Sequence, residues 1–264
     1  MSWVRRIVFF SAVLFFFAYE NSCAESVELM RDGKNYESLP LLVNSLSVER
    51  NRSVISHSSL MLQIREFTRN NHGFMFDVDS RVKLSVTSRV VSGFQQNPPS
   101  SVRLKDGTQI IWGWQEGQAE VQSIAIFDEG DKLKLVGGAT NIPRIFSWRS
   151  QKGLKSLEEF DALLVRRQAL HIGSPMLVLF VETQSDANRY YPLAARWLQA
   201  NLLGFNAQCN SPTYSESCVL ADNITVPIVV RTARCSAEQM SRSSCTLLSA
   251  GSSKSELSLD MFMQ

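Results

Sequence analysis

The stretch Met176–Val181 (MLVLFV) is six consecutive apolar residues, and it limits the fold more than any other part of the chain. A strand without polar alternation has no face for water, so the sheet that holds it needs cover on both sides. A polar loop, Glu182 to Asn188, is expected next, then an amphipathic helix with Pro192 near its start and Gly204 just past its end. Proline early and glycine late is the usual asymmetry of helix ends. Pro175 to Gly204 therefore marks the expected centre of the core.

The flanking segments read as its cover. Ser58 to Gly73 has helical character: Ser58 or Ser59 can cap the start, Leu60, Ile64 and Phe67 share a stripe, and Gly73 can close the end. Phe74 to Val78 and Val82 to Val86 alternate with period two, as half-buried strands do. After the break at Asn97-Pro98-Pro99 a β-meander is expected over about 101–137. Ser101 to Lys105 and Thr108 to Trp114 flank Asp106-Gly107, a strong hairpin signal. Ala119 to Phe127 and Lys132 to Val136 complete it, punctuated by Glu116-Gly117 and Glu129-Gly130. A phase shift between Val121 and Ile124 predicts a bulge or burial on both faces.

Gly137-Gly138 and Asn141-Ile142-Pro143 predict a crossing into a different pattern, with a possible lobe boundary near 138–150. Ser156-Leu157-Glu158-Glu159 fits a capping box opening a helix with Leu157, Phe160 and Leu164 on its face. Leu39 to Val43 can form a short strand. Val226 to Val230 can form another, at a sheet edge because of Pro227. The Ser-rich tail, 249–264, is expected to fray. The order of elements predicts a mixed α+β domain over 25–248: a mainly antiparallel sheet, two or three packing helices, and a disulfide-tied C-terminal segment.

Residues 1–24 read as a cleaved secretory signal peptide. Arg5 and Arg6 precede the apolar run Ile7 to Tyr19, and Ser22-Cys23-Ala24 supplies small residues for processing. Thirteen residues fall short of the roughly 20 that cross a bilayer. Cleavage after Ala24 leaves 240 of the 264 residues and no further stretch of membrane length. It also removes Arg5, Arg6 and Glu20, leaving 25 basic and 24 acidic residues from the original 27 and 25. A chain so near neutrality has no electrostatic footprint for nucleic acid or an anionic membrane.

Cys209, Cys218, Cys235 and Cys245 remain, an even number that reads as two disulfides in an exported chain. Of the three pairings, Cys209–Cys218 with Cys235–Cys245 closes the shortest loops. Spacings of 9, 17 and 10 are too wide for the tight ligand pairs of a zinc site. The expected location is periplasmic or secreted.

Catalytic signatures are sparse. His57, His72 and His171 form no pair at metal-ligand spacing, and no Gly-x-Ser-x-Gly elbow occurs. His171 and Ser174 lie close in sequence, which reads better as a Gly-Ser-Pro turn. Asp77 with Asp79, and Asp128, Glu129 and Asp131, read as strand-face and turn residues rather than glycosidase carboxylates. Neither a cofactor nor a metal site is predicted, and the catalytic residues stay unassigned.

Two surfaces are candidates for binding a protein partner or small ligand. Trp112 and Trp114 lie two apart on one strand face, with Trp148 as a third aromatic residue. They read first as core, and as a stacking platform if exposed. Thr183, Ser185, Asp186, Asn188 and Arg189 lie where a strand meets a helix, a common place for ligands in α/β sheets. There the competing reading is helix capping by Ser185 or Asp186. The predicted function is a non-enzymatic binding, inhibitory or assembly module; the alternative is a hydrolase with a dispersed site near His171 and residues 182–189.

Overall fold

A computed structural model describes residues 55–76, 82–147, 149–150, 152–236, 238–239, 245–247 and 258–263. The signal segment 1–24, the strand expected at Leu39 to Val43, Asp77 with Asp79, and Trp148 lie outside the described residues.

The fold is α+β, built on a mostly antiparallel seven-stranded sheet. Its meander comprises β3 (Ser100–Arg103), β4 (Gln109–Gln115), β5 (Gln118–Phe127) and β6 (Leu133–Thr140), each antiparallel to the next. β6 then pairs antiparallel with β9 (Met176–Val181), which pairs in parallel with β10 (Ile228–Thr232). The two-residue β11 (Thr246–Leu247) lies antiparallel on the far side of β10. Two short hairpins stand apart, β1 (Phe74–Phe76) with β2 (Lys83–Ser85) and β7 (Phe146–Ser147) with β8 (Lys152–Gly153).

Five helices occur among the described residues: α1 (His57–Thr68), α2 (Val86–Ser92), α3 (Leu157–Ala169), α4 (Gln184–Leu202) and α5 (Ser215–Asn223). α4 and α5 make the long crossover that a parallel strand pair requires. The MLVLFV strand has its cover on both sides. Leu177, Leu179 and Val181 join Ala187, Ala194 and Trp197 of α4 in one cluster. Val178 and Phe180 join Leu60 and Ile64 of α1 and Val86 and Val90 of α2 in another. β5 is buried the same way, with Ile124 and Ile126 toward α4 and Ala125 and Phe127 toward α1 and α2. Two-sided burial explains the shifted phase near Val121. The β4–β5 register also shifts here, between Trp114 and Gln115 opposite Gln118 to Gln122, and a second irregularity lies between Ile126 and Phe127.

The Asp106-Gly107 hairpin forms as expected. Gly107 takes a φ of 83°, Asp106 Oδ1 accepts from the Thr108 N–H (2.9 Å), and the Leu104 N–H donates to Thr108 O (2.8 Å). A three-residue loop with glycine in the left-handed region suits this connection. The capping box at Ser156 also forms, slightly extended. The Glu159 N–H donates to Ser156 Oγ, and Glu159 Oε2 accepts from the Lys155 N–H one residue further back.

Several expectations are corrected. Gly137-Gly138 does not end a strand but lies within β6. A Cβ on Gly137 would meet Leu179 Cδ2 at 2.6 Å and the Val178 carbonyl oxygen at 2.9 Å, so glycine is required there, while one on Gly138 would press on the flexible end of Met75 at 2.9 Å. α1 ends at Thr68 and is capped by Ser56, because the Ser59 N–H reaches Ser56 Oγ. Val86 belongs to α2, whose start is fixed by Ser85 accepting from the Ser88 N–H. β10 begins after Pro227 and has neighbours on both sides, so the proline ends at a strand boundary rather than marking an edge. Residues 258–263, expected to fray, contain a buried 3-10 turn, Leu259–Phe262.

Both disulfides take the shortest pairing, Cys209–Cys218 and Cys235–Cys245. The first ties the chain leaving α4 to α5. The second links the strand ends of β10 and β11. Among the described residues no helix is long and apolar enough to cross a membrane.

Candidate functional site

Antiparallel order brings three connections to one end of the sheet. The β3–β4 turn, the β5–β6 turn and the carboxyl end of β9 all lie there, because alternate turns of a meander share an end. The polar residues expected after β9 meet the two turns at this end.

They are not a loop, which corrects the expected Glu182–Asn188 connection. α4 starts at Gln184 with Thr183 as its cap. The Asp186 N–H donates to Thr183 Oγ1 (3.0 Å), and the Thr183 hydroxyl donates to Asp186 Oδ2 (2.7 Å). Pro192 sits inside the helix and cannot donate to the Asn188 carbonyl one turn earlier; the cap together with the buried face of Ala187, Tyr190, Ala194, Trp197 and Leu198 holds the helix across it. Ser185 does not cap and is exposed. The Gln184 side chain donates to Asn188 Oδ1 (2.9 Å).

The charges at this end are arranged around α4. Arg189 reaches Asp106 of the first turn (3.5 Å) and Glu129 of the second (3.7 Å), with all three side chains at least half exposed, at 52%, 56% and 64%. Its guanidinium also lies 5.3 Å from the Tyr190 ring centroid. Lys134 stands between Asp128 (3.6 Å) and Asp186 (3.9 Å). Arg103 pairs with Asp131 and Arg234 with Glu182.

Two turn carboxylates are shifted. Partial burial pushes both Asp128 and Asp106 up, but their contacts outweigh it and both end below their ordinary value. Asp128 accepts from the Lys132 and Gly130 N–H groups and has Lys134 beside it. Asp106 accepts from Thr108 and faces Arg189. The Tyr190 hydroxyl is pushed up by burial. The helix dipole at the start of α4 is answered by Asp186, a carboxylate of the chain itself, so an anionic ligand would meet an occupied position.

The expected pair of tryptophans divides. Trp112 is 3% exposed and packs against Phe205 (5.8 Å between ring centroids) and Phe262 (5.5 Å). Trp114 is only half-buried. They therefore do not form an open stacking platform.

His171 is not brought to residues 182–189. It lies before the amino end of β9, in a left-handed turn with a φ of 59°, whereas those residues follow the carboxyl end. Six strand residues at about 3.3 Å each separate the two by roughly 20 Å. Among the described residues no group of three His, Cys, Asp or Glu side chains is placed to hold a metal ion.

Asp106, Lys134, Arg103 and Arg234 were missed in reading the sequence for a site. The available signal was the parity of the meander, which places the turns at 106–107 and 129–130 at the same end as Thr183. No family model, characterised protein or solved structure matches this chain.

Proposed function

We propose that this is an exported binding or assembly module that meets a protein partner at the charged end of its sheet. The observation that carries the reading is Arg189, held half exposed between Asp106 and Glu129 from two different turns. Ion pairs this exposed contribute little to folding. Alternating charge on a rigid frame is suited to steering and registering a partner. Thr183, Ser185, Asp186 and Asn188 form the polar surround, and the two disulfides fit an oxidising compartment such as a periplasm or the cell exterior.

A dispersed hydrolase site joining His171 to residues 182–189 has less support, since β9 stands between its parts.

The test is site-specific photo-crosslinking in the exported fraction. Probes replacing Ser185 and Glu129 should give one shared adduct, and a probe replacing Leu170, at the other end of β9, should not. Adducts from Leu170 alone, or none from either rim position, would sink the proposal.

A further inference from the structure

The segment Ser258–Met263 lies outside the sheet, yet its apolar side chains are buried, Phe262 completely. Leu259, Met261, Phe262 and Met263 all enter the cluster beneath α4, and Phe262 meets the Trp112 ring edge to face. Its backbone bonds are local: the Met261 N–H donates to Ser258 O and the Met263 N–H to Asp260 O. Ser258 Oγ accepts from the Asp260 N–H (3.2 Å), so the turn caps itself. Asp260 Oδ1 in turn accepts from the Cys209 N–H (3.0 Å). With its backbone bonded locally and its apolar side chains as anchors, the turn resembles the way an amphipathic helix lays its apolar face into a groove.

The walls of this groove carry a second observation. Trp112 and Trp197 both pack on Phe205, and both are buried. Among the described residues neither indole N–H has an acceptor. Buried donors are normally satisfied, and a buried tryptophan usually finds a partner for its N–H. The segment packs on Trp112 through Phe262, and among the described residues both donors stay unmatched with it in place.

We infer that the groove lined by Trp112, Trp197 and Phe205 is a peptide-binding site that Ser258–Met263 occupies in cis. Its exchangeable occupant is a short apolar segment of a partner protein, with the same self-capped turn and a backbone carbonyl for an indole N–H. The groove is distinct from the charged end and does not depend on the reading given to that end.

The test uses the full chain and a labelled peptide, Ser-Leu-Asp-Met-Phe-Met, as the probe. The Phe262→Ala variant should bind it more tightly than the unaltered protein. If the cis segment is open in about one molecule in ten, the gain is about tenfold. Adding Trp112→Phe to that variant should weaken binding, since the indole ring that meets Phe262 edge to face in the cis arrangement is lost. A second variant ending at Leu257 should regain melting temperature as peptide is added, because a ligand of the native state stabilises it. The inference is overturned if a folded Phe262→Ala protein does not bind the peptide, or if the shortened chain stays unfolded at saturating peptide. Exchange of the segment between two copies, seen as a stable dimer, would also overturn the assignment to a partner.

Discussion

Around Arg189 charged groups meet in water, whereas over Trp112 aromatic groups meet away from it. The charged end has pairs in abundance, Arg189 with Asp106 and Glu129, Arg103 with Asp131, Arg234 with Glu182. Among the described residues the aromatic region has two indole N–H groups without acceptors. Solvated pairs contribute about 0–1 kcal/mol each, while burying one large apolar side chain contributes about 1.5–3 kcal/mol. Stability should therefore be concentrated at the aromatic region and adaptable chemistry at the charged one.

Substitutions can break or sharpen that contrast, and the largest effect belongs to the groove. Trp112→Ala should cost about 3–5 kcal/mol in denaturant unfolding, as expected for removing a buried aromatic ring. Trp114→Ala, half-buried on the same strand face, should cost less than half as much. Equal losses would show that the depth of the two rings does not differ in solution.

Next comes the disulfide that holds the chain as it leaves the groove. Replacing Cys209 and Cys218 together with Ser should cost about 2.5–3 kcal/mol in the chain-entropy account of a loop this short. Thermal melts of oxidised protein with and without the pair give the figure. Mature protein should also show no alkylatable thiol at any of the four cysteines.

At the charged end the sharpest expected loss is at Asp128, whose carboxylate holds the β5–β6 turn through two backbone N–H groups. Asp128→Asn should cost about 1–2 kcal/mol, less than the about 1.5–3 kcal/mol of a hydrogen bond to a charged group, because the amide oxygen still accepts. The sign with pH follows from the depressed values of Asp106 and Asp128. Their contribution is fully present above the ordinary carboxyl value of 3.8 and is lost as pH falls below it toward the folded-state value. In Asp128→Asn that acid-side loss should shrink. An unchanged acid slope would show that these turns do not set it.

Arg189→Ala should have the smallest effect, under about 1 kcal/mol, because its pairs are half exposed and screened by salt. A loss as large as that of Trp112→Ala would remove the distinction between the two regions.

How much of this was legible depends on whether the cause is local. The Asp106-Gly107 turn and the MLVLFV strand follow from adjacent residues and appear where the sequence puts them. Gly137 and Gly138 read as a break because their cause is tertiary, the close approach of Leu179 and Met75. Val86 reads as the end of a strand from the alternation of Val82 to Val86, yet the Ser85 cap and packing on the sheet make it the first residue of a helix. At the candidate site capping is expected from Ser185 or Asp186, whereas Thr183 is the cap, because Pro192 argues for a helix start later than the one the fold adopts. Residues 258–263 were hidden by Ser-rich neighbours, and only the groove over Trp112 gives their apolar pattern a meaning.

Native-state hydrogen exchange tests most directly the claim that the aromatic groove holds a separable occupant. The amides of Met261 and Met263 should exchange through an opening that leaves Ile124, Ala125 and Ile126 of β5 protected, with a lower free energy and a weaker denaturant dependence. If both sets open together with the free energy of global unfolding, the segment is an inseparable part of the core and the account of the groove is contradicted.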